Sequence, residues 1–355
     1  MKQSRSFFKH LKFTNVLRIL LTSLLLLPYL AYIAFIIQGD QGPIDYETFM
    51  KIGTTFIEGG DVYGENSYYP LPYVGIFAVF SLLPRPLSMA IWLLAPVILA
   101  LVITGFQPYT LLFAPTFSHF TGGQSSIFGL LGFYGYRKKL DPSTYTGGIF
   151  LALTCLKPQL GIVPVGYAVY QWILYLRKNH RIPAQAVSFT GSLGLIFLPS
   201  FLIRPQWLTE WLYTPRPFFD RAISSAIPRL LFLISKPGKT TYWILWLFLS
   251  AAVVLITWKM KGKSQPLDIL ILVSFTVNPL VHDYDLIQIL PTIQGPIMPT
   301  AAVVLSIPGW WTMTAQYGND AAWVSFILIA PGLLITYILQ EKRKRDEKGK
   351  PETLN

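Results

Sequence analysis

The stretch ILLTSLLLLPYLAYIAFII at residues 19–37 decides the fold class, because it is almost wholly apolar and nearly long enough to cross a bilayer unaided. A membrane-spanning helix needs about 20 predominantly apolar residues. No convincing small-residue cleavage site follows the run, so we expect a retained first span rather than a signal peptide. The basic residues before it predict a cytoplasmic N-terminus. They are Lys2, Arg5, Lys9, Lys12 and Arg18.

Composition extends this interpretation to the whole chain. Of its 355 residues, 52% are hydrophobic and only 13% are charged, against about 25% charged residues in a soluble domain. Apolar stretches recur throughout, so the sequence predicts an all-α polytopic protein of the cell membrane with about 10–12 transmembrane helices. We expect one integral-membrane domain over residues 1–340 and a charged cytoplasmic tail over residues 341–355.

The net charge of +12 does not indicate a nucleic-acid partner, because the basic residues lie at span ends and in short loops. Basic clusters at 137–139, 177–181, 259–263 and 342–345 predict cytoplasmic ends, so both termini are expected in the cytoplasm. We therefore expect the protein to be embedded in the lipid bilayer and to have no nucleic-acid partner.

Three apolar segments carry more specific expectations. PYVGIFAVFSLLP at 72–84 is expected to cross back to Arg85. Residues 108–136 are expected to form one span broken near Gly122 and Gly123, and residues 284–308 a second interrupted segment. Irregular backbone at membrane depth is tolerated only where protein or a water-filled cavity meets it.

The acidic segment QGPIDYETFMKIGTTFIEGGDVYGE at 41–65 follows the first span and is expected outside the cell. Pro43 and Gly59–Gly60 predict the ends of a helix, and a stripe of Tyr46, Phe49 and Phe56 suits a helix lying in the interface. Asp45 falls in its first turn, where the helix dipole favours an ionised carboxylate. It either caps or solvates the helix, or it serves as a general base.

Other polar residues are expected on the same outer side. Lys157, in ALTCLKPQLGI, either extends to solvent or supplies a charge for a phosphate. The 204–240 loop is basic against the positive-inside bias, so it binds either an anion such as phosphate or lipid headgroups. Its basic residues are Arg204, Arg216, Arg221, Arg229, Lys236 and Lys239.

His282, Asp283 and Asp285 end a late apolar segment and could hold a divalent metal or contact a polar substrate. Their spacing is a weak metal signal, so we expect no metal site and no cofactor. With a single cysteine, Cys155, the chain has no disulfide framework. It also lacks a Walker phosphate loop, a Rossmann fingerprint and a nucleophile elbow.

Taken in order, six motifs make the chain resemble the integral-membrane glycosyltransferases of the GT-C superfamily, most closely glycosyltransferase family 87, the polyprenyl-phosphate-mannose-type enzymes. The resemblance covers nearly the whole chain. Its motifs are IDYETF, VYGENSYYPLPYVGIFAVFSLLP, GGQSSIFGLLGF, LTCLKPQLGIVP, ISSAIPRLL and NPLVHDYDLIQILP.

The resemblance implies that Asp45 is the catalytic base of an inverting transfer on the extracytoplasmic face. The donor would be a polyprenyl-phosphate sugar, with mannose or a similar hexose or pentose as the sugar. The acceptor would be a hydroxyl of a lipid-linked molecule or a glycan. The implied donor-phosphate ligands are Arg229 and Lys157, and the implied substrate-binding residues are Gln124, Ser225, His282 and Asp283, with Ser224 beside Ser225. The chain departs from the family's pattern in two places, which leaves the identities of the sugar and the acceptor open. The usual tyrosine-rich stretch is reduced to Tyr46, and the late motif has an extra acid, Asp285.

Two other classes of function remain compatible with the sequence. A transporter or flippase for an anionic lipid or lipid-linked sugar would also have broken spans and intramembrane polar residues, although the two halves show no convincing inverted repeat. A non-catalytic membrane scaffold would not need so many polar residues on one face.

Overall fold

The structure is a computed structural model that describes residues 13–64, 67–214, 225–232, 234, 239–260, 266–314 and 326–348. Within these ranges all regular structure is helical and no strand occurs, which confirms the all-α prediction. The α-helices are α1 (Phe13–Gln38), α2 (Ile44–Ile57), α3 (Leu71–Ser81), α4 (Arg85–Thr104), α5 (Tyr109–Leu112), α6 (Ala114–Gly122), α7 (Ile127–Lys138), α8 (Tyr145–Thr154), α9 (Pro158–Asn179), α10 (Ala184–Ile203), α11 (Trp207–Tyr213), α12 (Ala226–Phe232), α13 (Thr240–Met260), α14 (Pro266–Val277), α15 (Met298–Thr314) and α16 (Ile329–Lys348). A 3₁₀ helix, Asp283–Thr292, lies between α14 and α15.

In the described part of the chain, four helices are long and apolar enough to cross a membrane: α1, α4, α10 and α13. On α1, α10 and α13 many large apolar side chains face outward, with exposures of 62% for Leu24, 87% for Leu202 and 69% for Phe248. Apolar surface on this scale is stable only where lipid covers it. The chain is therefore a helical membrane protein, and the number of its crossings stays a prediction.

The hairpin of α2 and α3 lies at one end of the bundle. Arg85, the first residue of α4, donates hydrogen bonds to the Asp40 carboxylate just after α1 and to Glu47 Oε1 in α2, the latter at 2.6 Å. At the opposite end of α4, the Phe106 carbonyl accepts a hydrogen bond of 2.8 Å from Thr22 in α1. Helices α1 and α4 are thus antiparallel, with α2 and α3 connecting them on one side.

The prediction that residues 72–84 cross the membrane is therefore wrong. Helix α3 has 11 residues, about 16 Å at 1.5 Å per residue, against about 30 Å of hydrocarbon. One face of the helix is buried within the protein against α2, and Val74 and Phe77 have no exposed surface. Hydropathy alone cannot separate these two environments for a short apolar run.

The expected bounds of α2 are confirmed, but its apolar stripe packs against protein. Tyr46, Phe49 and Ile52 are buried, and the Phe49 ring stacks on the Phe77 ring at 4.6 Å. A Cβ at Gly53 would lie 2.5 Å from the Phe77 carbonyl oxygen, so the two helices touch through backbone here.

The interruption near Gly122 and Gly123 is confirmed, since α6 ends at Gly122 and α7 begins only at Ile127. The two helices run in opposite directions, so the expectation of one broken span over 108–136 is wrong. Helix α6 runs towards α2, where Gly123 meets Tyr46. Helix α7 runs away from it to Arg137, which donates hydrogen bonds of 2.6 and 2.7 Å to the Asp268 carboxylate.

The second interruption, over 284–308, is also confirmed. The 3₁₀ helix ends at Thr292, Gly295 has a φ of 85°, and α15 begins at Met298. We call the end of the bundle that holds Asp40, Asp45, Gly123 and Lys157 the site end, and the end that holds the Arg137–Asp268 pair the opposite end.

Candidate functional site

Asp45 lies in the first turn of α2, at the site end. Pro43 occupies the N-cap position, and no side chain caps the helix. The half-buried Asp45 carboxylate instead accepts a hydrogen bond from the Gln124 side-chain amide, 79 residues further along the chain. The alternative that Asp45 only caps or solvates its helix is therefore wrong, and two of the predicted site residues are in direct contact.

The turn of residues 123–126 presents Gln124 to Asp45. Gly123 has a φ of 67°, and a Cβ there would lie 2.8 Å from Tyr46 Cβ, so both its conformation and its close approach to α2 require glycine. The Trp92 indole donates a hydrogen bond of 2.8 Å to the Gly123 carbonyl. Gln124 and Ser125 are only 3% and 1% exposed. The turn is thus a buried, hydrogen-bonded support for the Gln124 amide.

Lys157 lies at the junction of α8 and α9 and forms a buried ion pair. Its Nζ atom is 2.6 Å from Asp285 Oδ1, and the two side chains are 5% and 0% exposed. The same Nζ donates a hydrogen bond of 3.0 Å to Ser126 Oγ, which donates one of 2.8 Å to Asp285 Oδ1. The alternative that Lys157 extends to solvent is wrong. Its assignment as a phosphate ligand stays a prediction.

The late motif of the sequence joins the same cluster. Asp283 accepts a hydrogen bond from the Ser118 hydroxyl. The His282 ring stacks on the Tyr284 ring, with centroids 5.1 Å apart and planes 8° apart. Lys157 Nζ lies 4.9 Å from the centroid of the Tyr284 ring. His282 and Asp283 therefore lie beside the Lys157 ion pair, and their roles as substrate-binding residues stay predictions.

Burial raises the pKa of Asp45 to about 6, although Lys157 and the Gln124 hydrogen bond lower it and Asp283 adds to the rise. At pH 7 the carboxylate is mostly ionised, yet it is a stronger base than an ordinary aspartate. A general base works best with a pKa near the operating pH, so this environment suits proton abstraction.

Ser225 and Arg229 are linked to the site through Asn278. The Ser225 hydroxyl donates to the Asn278 carbonyl, and the Asn278 side chain donates to the Gln159 carbonyl at 2.8 Å, two residues beyond Lys157. Arg229 rests its guanidinium 5.5 Å from the Phe232 ring centroid. Its buried Nε atom has no hydrogen-bond partner among the described residues. Ser224 and the basic positions 216, 221 and 236 lie outside the described residues.

Sequence reasoning missed residues that hold the site together. His119, 1% exposed, accepts a hydrogen bond of 3.1 Å from the Ser126 backbone N–H at its Nε2 atom. Tyr69 accepts one of 2.9 Å from the Ser125 hydroxyl. A usable signal was present in FAPTFSHF at 113–120, where Ser118 and His119 interrupt an apolar run just before the glycine break.

An apolar groove adjoins this cluster. It has a volume of about 390 Å³ and is bordered by α2 and α3 on one side and by α8 and α10 on the other. Leu156, next to Lys157, and Phe128, two residues after Ser126, line its inner end. Other lining residues are Phe56, Leu71, Ile76 and Ile203. The groove thus runs between these helices beside the polar cluster, whose side chains are not among its lining residues.

Comparison of the chain with protein-family models, with curated proteins and with solved structures finds no match. The resemblance to the GT-C glycosyltransferases stays a prediction. Across the described residues, no group of three or more His, Cys, Asp and Glu side chains is arranged to hold a metal ion. Any function assigned to the chain therefore rests on the geometry of the Asp45 cluster and the groove beside it.

Proposed function

We propose that the protein transfers a sugar, of mannose or a similar hexose or pentose class, from a polyprenyl-phosphate donor to a hydroxyl of a lipid-linked or glycan acceptor, with Asp45 as general base. One observation carries the proposal. The Asp45 carboxylate is held by Gln124 beside a buried charged cluster, and an apolar groove lined by Leu156, the neighbour of Lys157, runs beside that cluster. A lipid-borne sugar needs both parts, since its tail is apolar and its phosphate and sugar are polar.

The chemistry is a single displacement. The acceptor hydroxyl gives its proton to the Asp45 carboxylate, and the acceptor oxygen forms a bond to the anomeric carbon. The bond from that carbon to the phosphate oxygen breaks, and its electron pair leaves with the polyprenyl phosphate. Because the attack and the departure occur on opposite sides of the carbon, the anomeric configuration inverts.

The departing phosphate gains negative charge, so a cation beside it stabilises the transition state more than the ground state. Arg229 is the favoured candidate. Its buried Nε has no hydrogen-bond partner among the described residues, and a guanidinium fork matches two phosphate oxygens. The Ser225–Asn278–Gln159 hydrogen bonds connect its helix to the junction that carries Lys157.

The proposed reaction takes place on the extracytoplasmic face. The basic residues Arg177, Lys178 and Arg181, at the end of α9 and in the turn after it, lie at the opposite end from Asp45, as the positive-inside bias favours for a cytoplasmic end. A sugar carried on a lipid is available on the outer face, whereas nucleotide sugars are not.

The test is incubation of purified protein in vesicles with a panel of labelled polyprenyl-phosphate sugars, with nucleotide sugars in parallel. We expect a glycosidic product from at least one lipid donor and none from nucleotide sugars alone. A lipid-translocation assay on the same vesicles separates the rival class. Movement of the lipid across the membrane without a new glycosidic bond would identify a flippase and contradict transfer.

A further inference from the structure

The Lys157 ammonium is fully engaged by protein groups. A lysine ammonium has three N–H donors. One is directed to Asp285 Oδ1 at 2.6 Å and a second to Ser126 Oγ at 3.0 Å, and the centroid of the Tyr284 ring lies 4.9 Å from the same Nζ atom. Lys157 is 4% exposed. A donor phosphate would have to displace one of these partners before it could bind Lys157.

Ser126 connects this ion pair to the turn that carries Gln124. Its hydroxyl bridges the two charges, and its backbone N–H is bound by His119. The second carboxylate oxygen of Asp285 accepts a hydrogen bond of 3.1 Å from the His282 backbone N–H. The ion pair therefore joins the α8–α9 junction, the 3₁₀ helix and the 123–126 turn at one point.

We propose that the Lys157–Asp285 ion pair positions the general base instead of binding the donor phosphate: it holds Ser126, and the 123–126 turn in consequence keeps the Gln124 amide on the Asp45 carboxylate. This inference rests on the proposed function. A buried ion pair contributes little net stability compared with an apolar pair of similar volume. Its geometry at Ser126 gives it a role that an apolar pair could not fill.

The pair also sets the charge around Asp45. The groups that interact electrostatically with this carboxylate are Lys157, the Gln124 amide, Asp283 and the hydroxyls of Tyr69 and Tyr284. Lys157 lowers the pKa of Asp45, and Asp285 offsets part of the Lys157 charge. Removal of the Lys157 charge and removal of the Asp285 charge should therefore shift the pKa of Asp45 in opposite directions.

The first experiment measures the pH dependence of kcat and the donor KM. The acid limb of the profile is the fall in kcat at low pH that follows protonation of Asp45. In Lys157→Met the acid limb should move to higher pH, because the cation is gone and the Asp285 charge is uncompensated. In Asp285→Asn it should move to lower pH, because the released ammonium turns towards Asp45. Each shift should be about one pH unit. In both variants kcat should fall roughly 10- to 100-fold, with the donor KM unchanged.

Two further variants separate positioning from a general loss of structure. Ser126→Ala keeps both charges but removes the bridge, so kcat should fall while the acid limb stays in place. Asp268→Asn is the matched control, since it breaks a buried ion pair with Arg137 at the opposite end of α7. It should lower stability without moving the acid limb or changing kcat of the folded protein.

A second measurement needs no substrate, so it still applies if the protein proves not to be a transferase. The stabilisation caused by Asp45→Asn should develop between about pH 3.8 and about pH 6, the pKa of the folded Asp45, and stay constant at higher pH. Measured in the Lys157→Met and Asp285→Asn backgrounds, the pH at which this stabilisation stops growing should move up and down respectively. If Lys157→Met does not fold, a double variant, Lys157→Met with Asp285→Leu, provides the uncharged comparison.

Two results would overturn the inference. One is that the pH at which the stabilisation by Asp45→Asn stops growing is the same in the Lys157→Met, Asp285→Asn and Asp268→Asn backgrounds. The other is a lower donor KM in Asp285→Asn with kcat unchanged, because an ammonium released from its partner would then be binding the donor phosphate.

Discussion

Replacement of Asp45 by Asn should stabilise the folded protein at neutral pH while removing its proposed base. Burial raises the pKa of this carboxyl from 3.8 to about 6. The folded state therefore binds a proton more tightly than the unfolded chain, and ionisation of Asp45 lowers stability as the pH rises from about 3.8 through about 6. A difference of about two pKa units corresponds to roughly 3 kcal/mol. Asn keeps the shape and can still accept the Gln124 hydrogen bond, but it never ionises.

The assay compares the free energy of unfolding of the detergent-solubilised wild type and Asp45→Asn from pH 4 to pH 8. The two proteins should differ least near pH 4, and the variant should gain up to roughly 3 kcal/mol by pH 7.5. At still lower pH the difference should become constant, because Asp45 is then protonated in both states.

Asp61→Asn is the matched control. It also removes an acid from the site end of the bundle, but the pKa of Asp61 is lowered in the folded protein, whereas that of Asp45 is raised. Burial raises the pKa of Asp61, but the backbone N–H groups of Gly64 and Tyr63 and the Arg204 guanidinium together lower it more, so the net shift is downward. This carboxylate stabilises the fold above its unfolded pKa, so Asp61→Asn should be destabilising at pH 7. An Asp45→Asn difference that does not change between pH 4 and pH 7.5 would refute the burial of the Asp45 carboxylate.

Other variants test the phosphate site, the orientation and the packing. Arg229→Ala should weaken donor use about 10- to 100-fold, the loss of one charge-assisted hydrogen bond, and Arg229→Lys should recover only part of it; unchanged donor kinetics would remove Arg229 from the site. In intact cells, Asp61→Cys should react with a membrane-impermeant maleimide and Lys348→Cys should not, with Cys155→Ser as the background; the reverse pattern would invert the orientation. Gly53→Ala should destabilise the protein by about 1–3 kcal/mol in equilibrium unfolding, because its Cβ would lie 2.5 Å from the Phe77 carbonyl oxygen; unchanged stability would contradict the close α2–α3 contact.

Local patterns predicted the elements around Asp45 well. Pro43 and Gly59 fix the ends of α2, and the breaks at Gly123 and Gly295 follow from backbone conformations that only glycine adopts easily. These signals are local, so the sequence carries them without knowledge of the tertiary structure.

The direction of short apolar helices could not be predicted, because it depends on contacts remote in sequence. The Arg85–Asp40 contact joins residues 45 positions apart and shows that α3 does not cross. The Lys157–Asp285 pair, 128 positions apart, turns a residue expected to reach solvent or phosphate into part of a buried network. Without a partner in view, a lone lysine at a helix junction carries no sign of such pairing.

Single-turnover analysis with one labelled polyprenyl-phosphate sugar tests the central claim most directly. The enzyme, in excess over the donor, is mixed with acceptor, and both products are followed by mass spectrometry and by the anomeric configuration of the glycoside. Wild type should release polyprenyl phosphate and form an equal amount of glycoside with inverted configuration, and Asp45→Asn should do so roughly 100- to 10 000-fold more slowly. Retained configuration, donor cleavage without a glycoside, or an unchanged rate in Asp45→Asn would contradict base-catalysed transfer by Asp45.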